Sequence, residues 1–174
     1  MRTIALRFAP AIVLAALAAA GAAEPVTPSP IKIAVFPFEL EDFSAGAAYV
    51  PPDDIDREQL RLSTEEARRL IVASGRYQLV DVSAANDQAA KAGKLRECDG
   101  CDARIAAGLG ADQSMIGIVT RITRMEYAVT YKLRDARSGA IVAVAQTDLR
   151  MGANVAWSRG ARWLIENRLP EQAK

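Results

Sequence analysis

The chain has 174 residues, with 22 Lys or Arg against 21 Asp or Glu and no histidine. A formal net charge of +1 gives no global electrostatic attraction for nucleic acid or an anionic membrane surface. The missing imidazole removes the commonest general base, the commonest metal ligand and the usual pH switch.

Arg2 and Arg7 flank the start of an acid-free apolar run from Phe8 to Ala20, and Ala20-Gly21-Ala22-Ala23 places small residues just before Glu24. The pattern predicts a secretory signal over residues 1–23, cleaved near Ala22 or Ala23. The run is shorter than the ~20 residues that span a bilayer, and Pro10 interrupts it, so stable membrane insertion after cleavage is not expected. No cysteine follows the run and Arg2 and Arg7 are not adjacent, which argues against lipidation and the twin-arginine route. The mature chain then carries 20 basic and 21 acidic residues and is expected in the periplasm, with free secretion as the alternative. Residues 24–30 (EPVTPSP) hold three prolines and read as an extended leader. Residues 31–169 read as one domain, and 170–174 as a tail.

Ile31 to Phe38 (IKIAVFPF) is a near-continuous apolar run, as in a strand buried on both faces, with Pro37 marking its exit. Glu39 to Asp54 reads as an acidic, solvated loop. Ile55 to Ser74 predicts a long helix. Leu60, Ala67, Leu70 and Ile71 share one face, and Arg57, Glu58, Arg61, Glu65 and Arg68 lie away from it. Ser63-Thr64-Glu65-Glu66 fits a capping box, either at the helix start or mid-helix, and Gly75 is a stop. Tyr77 to Val82 is a second strand, and Ser83 to Ala92 and Asp102 to Leu109 are short helices. Gln113 to Tyr127 reads as a long strand. Ala128 to Arg134 and Ala140 to Arg150 alternate around the turn Asp135 to Gly139, which predicts a hairpin. Asn154 can cap a final helix to Arg168, with Trp157, Ala161, Leu164 and Ile165 in register.

The order β-α-β-α-β-β-β-α predicts an α/β domain. Helical crossovers imply parallel strands early and short turns imply an antiparallel meander late. A five-stranded mixed sheet with helices packed on it follows.

The segments IAVFPF, ASGRYQLVDV and IAAGLGADQSMIG resemble the amino-terminal domain of the TolB translocation protein. They are also similar to the periplasmic domain of curli-secretion-type lipoproteins. A closer resemblance is to an uncharacterised family of exported proteobacterial proteins. Its marks are FELED at Phe38 to Asp42, LRECDGCDARIAAGLGAD at Leu95 to Asp112, and WSRGARWLIENRL at Trp157 to Leu169. The likeness implies a fold used by partner-binding domains and brings no activity with it.

Cys98-Asp99-Gly100-Cys101 is the sharpest local motif. No further cysteine or histidine completes a metal site, so no metal is expected there. Export favours a disulfide, and Glu97, Asp99 and Asp102 work against a lowered thiol pKa. A redox-active pair remains the alternative. The acids Glu39, Glu41, Asp42, Asp53, Asp54 and Asp56 lack the spacing of a calcium loop. Gly108 and Gly110 follow a helix, whereas phosphate-binding glycines follow a strand. No cofactor is expected.

Two surface readings remain. Arg121, Arg124, Lys132, Arg134 and Arg150 are a candidate basic face of the late sheet, against the ordinary reading of a solvated face. Trp163 falls six residues after Trp157, ~240° round a helix, off the apolar stripe. With Arg159 and Asn167 it is a candidate partner-binding surface, the alternative being a cover for the sheet edge. The function expected is a small, non-catalytic binding or adaptor module that assists a cell-envelope protein assembly, its partner an envelope or periplasmic protein. The alternatives are a thiol–disulfide enzyme using the cysteine pair and an accessory subunit of another periplasmic enzyme.

Overall fold

The computed structural model describes residues 29–149 and 156–169. The predicted signal, its cleavage site and Arg150 lie outside them.

Pro37 sets the first feature of the fold. It has no N–H to give to a sheet ladder, so the opening apolar run cannot continue as one strand. It divides instead into β1 (Ile31–Val35) and β2 (Glu39–Asp42), both running parallel to β4 (Gln113–Arg121). Ile33 to Val35 pair with Gln113 to Met115, and Glu39 to Asp42 pair with Ile118 to Arg121. The break between them leaves backbone groups that α1 (Asp54–Ala73) satisfies with side chains. Arg68 donates to the Val35 carbonyl from Nη2 at 2.7 Å and Nε at 3.2 Å. Phe38 N–H donates to Thr64 Oγ1 at 2.9 Å.

The sheet therefore has six strands rather than the expected five, because the acids of β2 sit in a ladder and not in a loop. The path is β3-β1-β4-β5-β6, with β2 beside β4. Here β3 is Tyr77–Val80, β5 is Tyr127–Asp135 and β6 is Ile141–Leu149. β1 is parallel to β3 and β4, whereas β4–β5 and β5–β6 are antiparallel. The mixed α/β architecture is the one expected. The predicted long strand ends at Arg121, a turn follows, and Tyr127 opens β5.

Helix α1 starts at Asp54 because Asp53 closes a capping box with Asp56. Asp56 N–H donates to Asp53 Oδ1 at 2.7 Å, and Asp53 N–H to Asp56 Oδ2 at 3.3 Å. Ser63 and Thr64 thus lie mid-helix. Their hydroxyls donate back to the Gln59 and Leu60 carbonyls, each at 2.8 Å. Gly75 follows the helix at φ +68°, as its stop role requires.

Two helical layers cover the sheet. On one face α1 and α4 (Trp157–Asn167) pack over Ile33, Val35, Met115, Val129 and Tyr131. Gly160 lets α4 approach closely, since a methyl group there would meet Val129 and Leu149 side chains. On the other face α2 (Asn86–Ala92) and α3 (Cys101–Gly108) accompany a smaller core of Ala34, Phe36, Ile105, Ala106 and Ile116. Among the described residues no helix is long and apolar enough to cross a membrane.

Candidate functional site

Parallel strands leave a crevice beyond their carboxyl ends, where open α/β sheets commonly bind ligands. β2 and β4 both end there, at Asp42 and Arg121. A cleft of about 360 Å³ opens at this point, lined among others by Val50, Asp53, Ile55, Asp56, Arg121 and Arg124.

Arg121 is fixed in the cleft floor. Its Nη1 pairs with Asp42 Oδ2 at 2.7 Å and its Nη2 with Asp56 Oδ1. Its guanidinium lies 5.6 Å from the Tyr127 ring centroid and 6.0 Å from that of Trp157. Partial burial works to lower the Arg121 pKa, but hydrogen bonding to Asp42 and Tyr127 and the charge of Asp56 outweigh it and raise it. Burial likewise works to raise the Asp42 pKa, and hydrogen bonds from Ser44 and Arg121 bring it below its ordinary value. Two carboxylates on one guanidinium make a clamp joining the ends of β2 and β4 to the start of α1.

The segments that bound the cleft carry exposed apolar side chains, of which Val50 and Ile55 line it. Phe43 is 67% exposed, Tyr49 90% and Met125 62%, with Val50, Ile55 and Ile122 also exposed. Phe43 N–H donates to the Arg121 carbonyl at 2.9 Å, which extends the β2–β4 ladder and sets Phe43 beside Ile122. Sequence reasoning overlooked this rim because its residues fall in irregular segments with no periodicity.

The other acids of β2 also hold the fold. Glu39 accepts from the backbone N–H groups of Leu95 and Arg96 at 2.7 and 3.2 Å, and from Arg96 Nη1 at 3.1 Å. Two of the three family marks, FELED and LREC, thus meet in one contact. The acids are structural counter-ions rather than the solvated loop expected of them.

Cys98 and Cys101 are joined, with Cα atoms 5.8 Å apart, and Cys101 is buried as the first residue of α3. Asp99 is paired to Arg134 Nη2 at 3.1 Å. Asp102 is fully buried and accepts from Ser114 Oγ at 2.6 Å. Arg134 Nη1 donates to the Gly139 carbonyl at 2.8 Å, so it links the cysteine turn to the β5–β6 turn.

The candidate basic residues are placed apart. Arg121 lies opposite Tyr127 and Arg134 opposite Ser114, seven positions along the ladder, about 24 Å at the rise of a strand. Strand alternation also sets them on opposite faces. Arg124 is exposed in the β4–β5 turn, and Lys132 is half-buried opposite Val144. On α4, Trp157 is fully buried and Trp163 is 42% exposed. The guanidinium over the Trp163 ring belongs to Arg168, 5.5 Å from its centroid, and Arg159 lies exposed one turn earlier. Asn167 Nδ2 donates to the Trp163 carbonyl at 2.7 Å, so its side chain also supports the end of the helix.

Among curated proteins none matches this chain. Solved structures do. The hypothetical protein CT253 from Chlamydia trachomatis is similar over 83% of this chain and 99% of its own, at 12% identity and a TM-score of 0.51. The lipoprotein GNA1162 from Neisseria meningitidis is similar over 83% and 100%, at 15% identity and a TM-score of 0.48. TolB from Acinetobacter baumannii is similar over 80% of this chain and 29% of its own, at 14% identity and a TM-score of 0.40. These likenesses concern the fold. A family model matches residues 31–169, nearly the whole predicted mature chain and all three sequence marks. The chain belongs to the DUF3280 family, described as "Protein of unknown function (DUF2380)".

Proposed function

We propose that this protein is a small exported binding module, non-catalytic, that assists a protein assembly of the cell envelope. The apolar rim of the sheet-end cleft carries the reading. Val50 and Ile55 line the cleft and are exposed, Phe43, Tyr49, Ile122 and Met125 are exposed on the segments that bound it, and Arg121 beneath is paired to Asp42 and Asp56. Exposed apolar groups gathered at one place and bordered by polar residues are the mark of a protein-binding surface. The fixed clamp gives such a surface a rigid base, which lowers the ordering cost of association. Trp163, with Arg159 and Asn167 on the outer side of α4, is a second anchor for the same class of partner. The predicted signal supports a periplasmic setting, and the partner is an envelope or periplasmic protein.

Recovery of partners from native periplasm, wild type against Phe43→Ser with Tyr49→Ser, tests the reading. Both side chains are exposed, so the variant is expected to fold and to lose specific partners. An unchanged set of recovered proteins from the folded variant rejects the rim as the binding surface.

A further inference from the structure

The cysteine turn stands apart from the sheet-end cleft, since its contact Arg134 lies opposite Ser114 near the start of β4 and the cleft lies at its end. Facing the turn are the residues that join β5 to β6. Between them is a second cavity, of about 370 Å³, walled by the cysteine turn, the first turn of α3 and residues 136–139.

Three guanidiniums border this cavity, those of Arg104, Arg134 and Arg137, and one carboxylate, that of Asp99. Arg134 is the fixed one, with a side chain 9% exposed. Its Nη1 is held by the Gly139 carbonyl, and its Nε lies 3.6 Å from Oδ1 of the buried Asp102 without a hydrogen-bond acceptor. Its Nη2 meets Asp99 at 3.1 Å, yet the Asp99 side chain is 98% exposed. Arg104 and Arg137 are exposed and stand in no ion pair with a described acid. Asp135, the acid nearest in sequence to Arg137, accepts from Ser138 N–H and Oγ, each at 2.7 Å. No side chain caps the start of α3, so its first backbone N–H groups add positive field at the same wall.

We propose that this cavity is a phosphate site, for the free ion or a phosphomonoester, with Arg104 and Arg137 at its mouth and Arg134 at its floor. Asp99 holds one donor of a buried guanidinium from a side chain that is itself in water, and an ion pair so exposed is weakly held. An entering anion takes that donor and Asp99 turns out to solvent. A carboxylate brings two oxygens to the site. A phosphate brings three or more, disposed in a tetrahedron, which suits guanidiniums that come from α3, β5 and the β5–β6 turn. The wall has no large apolar side chain to seat an apolar ligand. The site uses no residue of the sheet-end cleft, so it is independent of the binding reading above.

Equilibrium dialysis of the oxidised mature protein against radiolabelled inorganic phosphate, at an ionic strength fixed with chloride, tests the proposal. Unlabelled glycerol 3-phosphate and acetate serve as competitors, and circular dichroism verifies folding. One phosphate is expected per chain. Arg104→Gln with Arg137→Gln is expected to weaken binding by about tenfold or more, through loss of two charge-assisted hydrogen bonds. Asp99→Asn removes the competing carboxylate and is expected to tighten it. Displacement by glycerol 3-phosphate supports a phosphoryl group carried on a larger molecule, and its failure to displace supports the free ion. Absence of bound phosphate, a folded double arginine variant that binds like wild type, or an Asp99→Asn protein that binds no better overturns the site. Acetate displacing phosphate at equal concentration overturns the ligand class.

Discussion

The Phe38 ring lies directly over Gly117, so closely that a methyl group on Gly117 would overlap it. Gly117 is in the middle of β4, and Phe38 follows the Pro37 break. The missing side chain makes the space in which the chain crosses from β1 to β2 and returns to the sheet. Phe38 itself is held by its N–H bond to Thr64.

Gly117→Ala is therefore expected to destabilise by about 1–3 kcal/mol, the usual cost of overpacking a filled core. Adding Phe38→Leu is expected to recover part of the loss, because the smaller side chain frees the same space. Urea unfolding of the two single variants and the double variant measures the coupling. Strict additivity would show that the ring and the glycine do not share that space.

The Asp42–Arg121 pair predicts an acid-sensitive part of the stability. Asp42 has a lower pKa folded than unfolded, despite the opposing effect of burial. Its contribution is fully present above the unfolded value near 3.8 and is lost as pH falls through the lower folded value. Asp42→Asn is expected to cost about 1.5–3 kcal/mol at neutral pH, the range for a hydrogen bond to a charged group. It is also expected to flatten the decline of stability below pH ~4. Denaturant unfolding at a series of acidic pH values checks both. A variant with the same acid limb as wild type removes Asp42 from the account.

Much of this architecture was legible from periodicity. The alternation around Asp135 to Gly139 found the hairpin, and the spacing of Trp157, Ala161, Leu164 and Ile165 found the buried side of α4. What was not legible depends on long-range contact. ELED has no strand-like alternation of apolar residues, yet it forms β2 because β4 offers an open edge and Arg96 and Arg121 neutralise its acids. Arg68 lies on the polar side by helical spacing, but its length lets it reach the carbonyl freed where β1 ends. The capping box at Asp53 and Asp56 uses Asp at both positions and so departs from the usual Ser/Thr-x-x-Glu/Gln pattern, which Ser63 to Glu66 matches from inside the helix. The candidate site was the least legible part. Its exposed rim is assembled from a loop after β2, the first turn of α1 and the β4–β5 turn, and no sequence period relates them.

The cysteine pair is expected to be structural. A closed loop of so few residues limits the entropic gain, so Cys98→Ser with Cys101→Ser is expected to cost about 2 kcal/mol or less. The Asp99–Arg134 pair remains in the variant to hold the turn against β5. Thiol titration of the exported protein is expected to find no free cysteine, and an insulin-reduction assay no turnover. Measurable turnover that disappears in the double variant would favour the thiol–disulfide enzyme instead.

The two tryptophans of α4 are expected to separate stability from binding. Trp157 is fully buried, lies 5.6 Å from the Tyr127 ring and is covered by the Arg121 guanidinium. Truncating it removes a large core side chain and the platform on which Arg121 rests, so Trp157→Ala is expected to lose about 3–5 kcal/mol. Trp157→Phe keeps an aromatic ring in the same core space and is expected to cost less than the alanine variant. Trp163 lies off the buried side of the helix, 42% exposed, with the Arg168 guanidinium over its ring. Trp163→Ala is expected to change the melting temperature little while reducing recovery of partners from periplasm. Thermal unfolding of all three variants, beside partner recovery normalised to folded protein, makes the comparison. If Trp163→Ala unfolds the domain and recovery follows only the folded fraction, Trp163 is a structural cover and the outer side of α4 is not a binding surface.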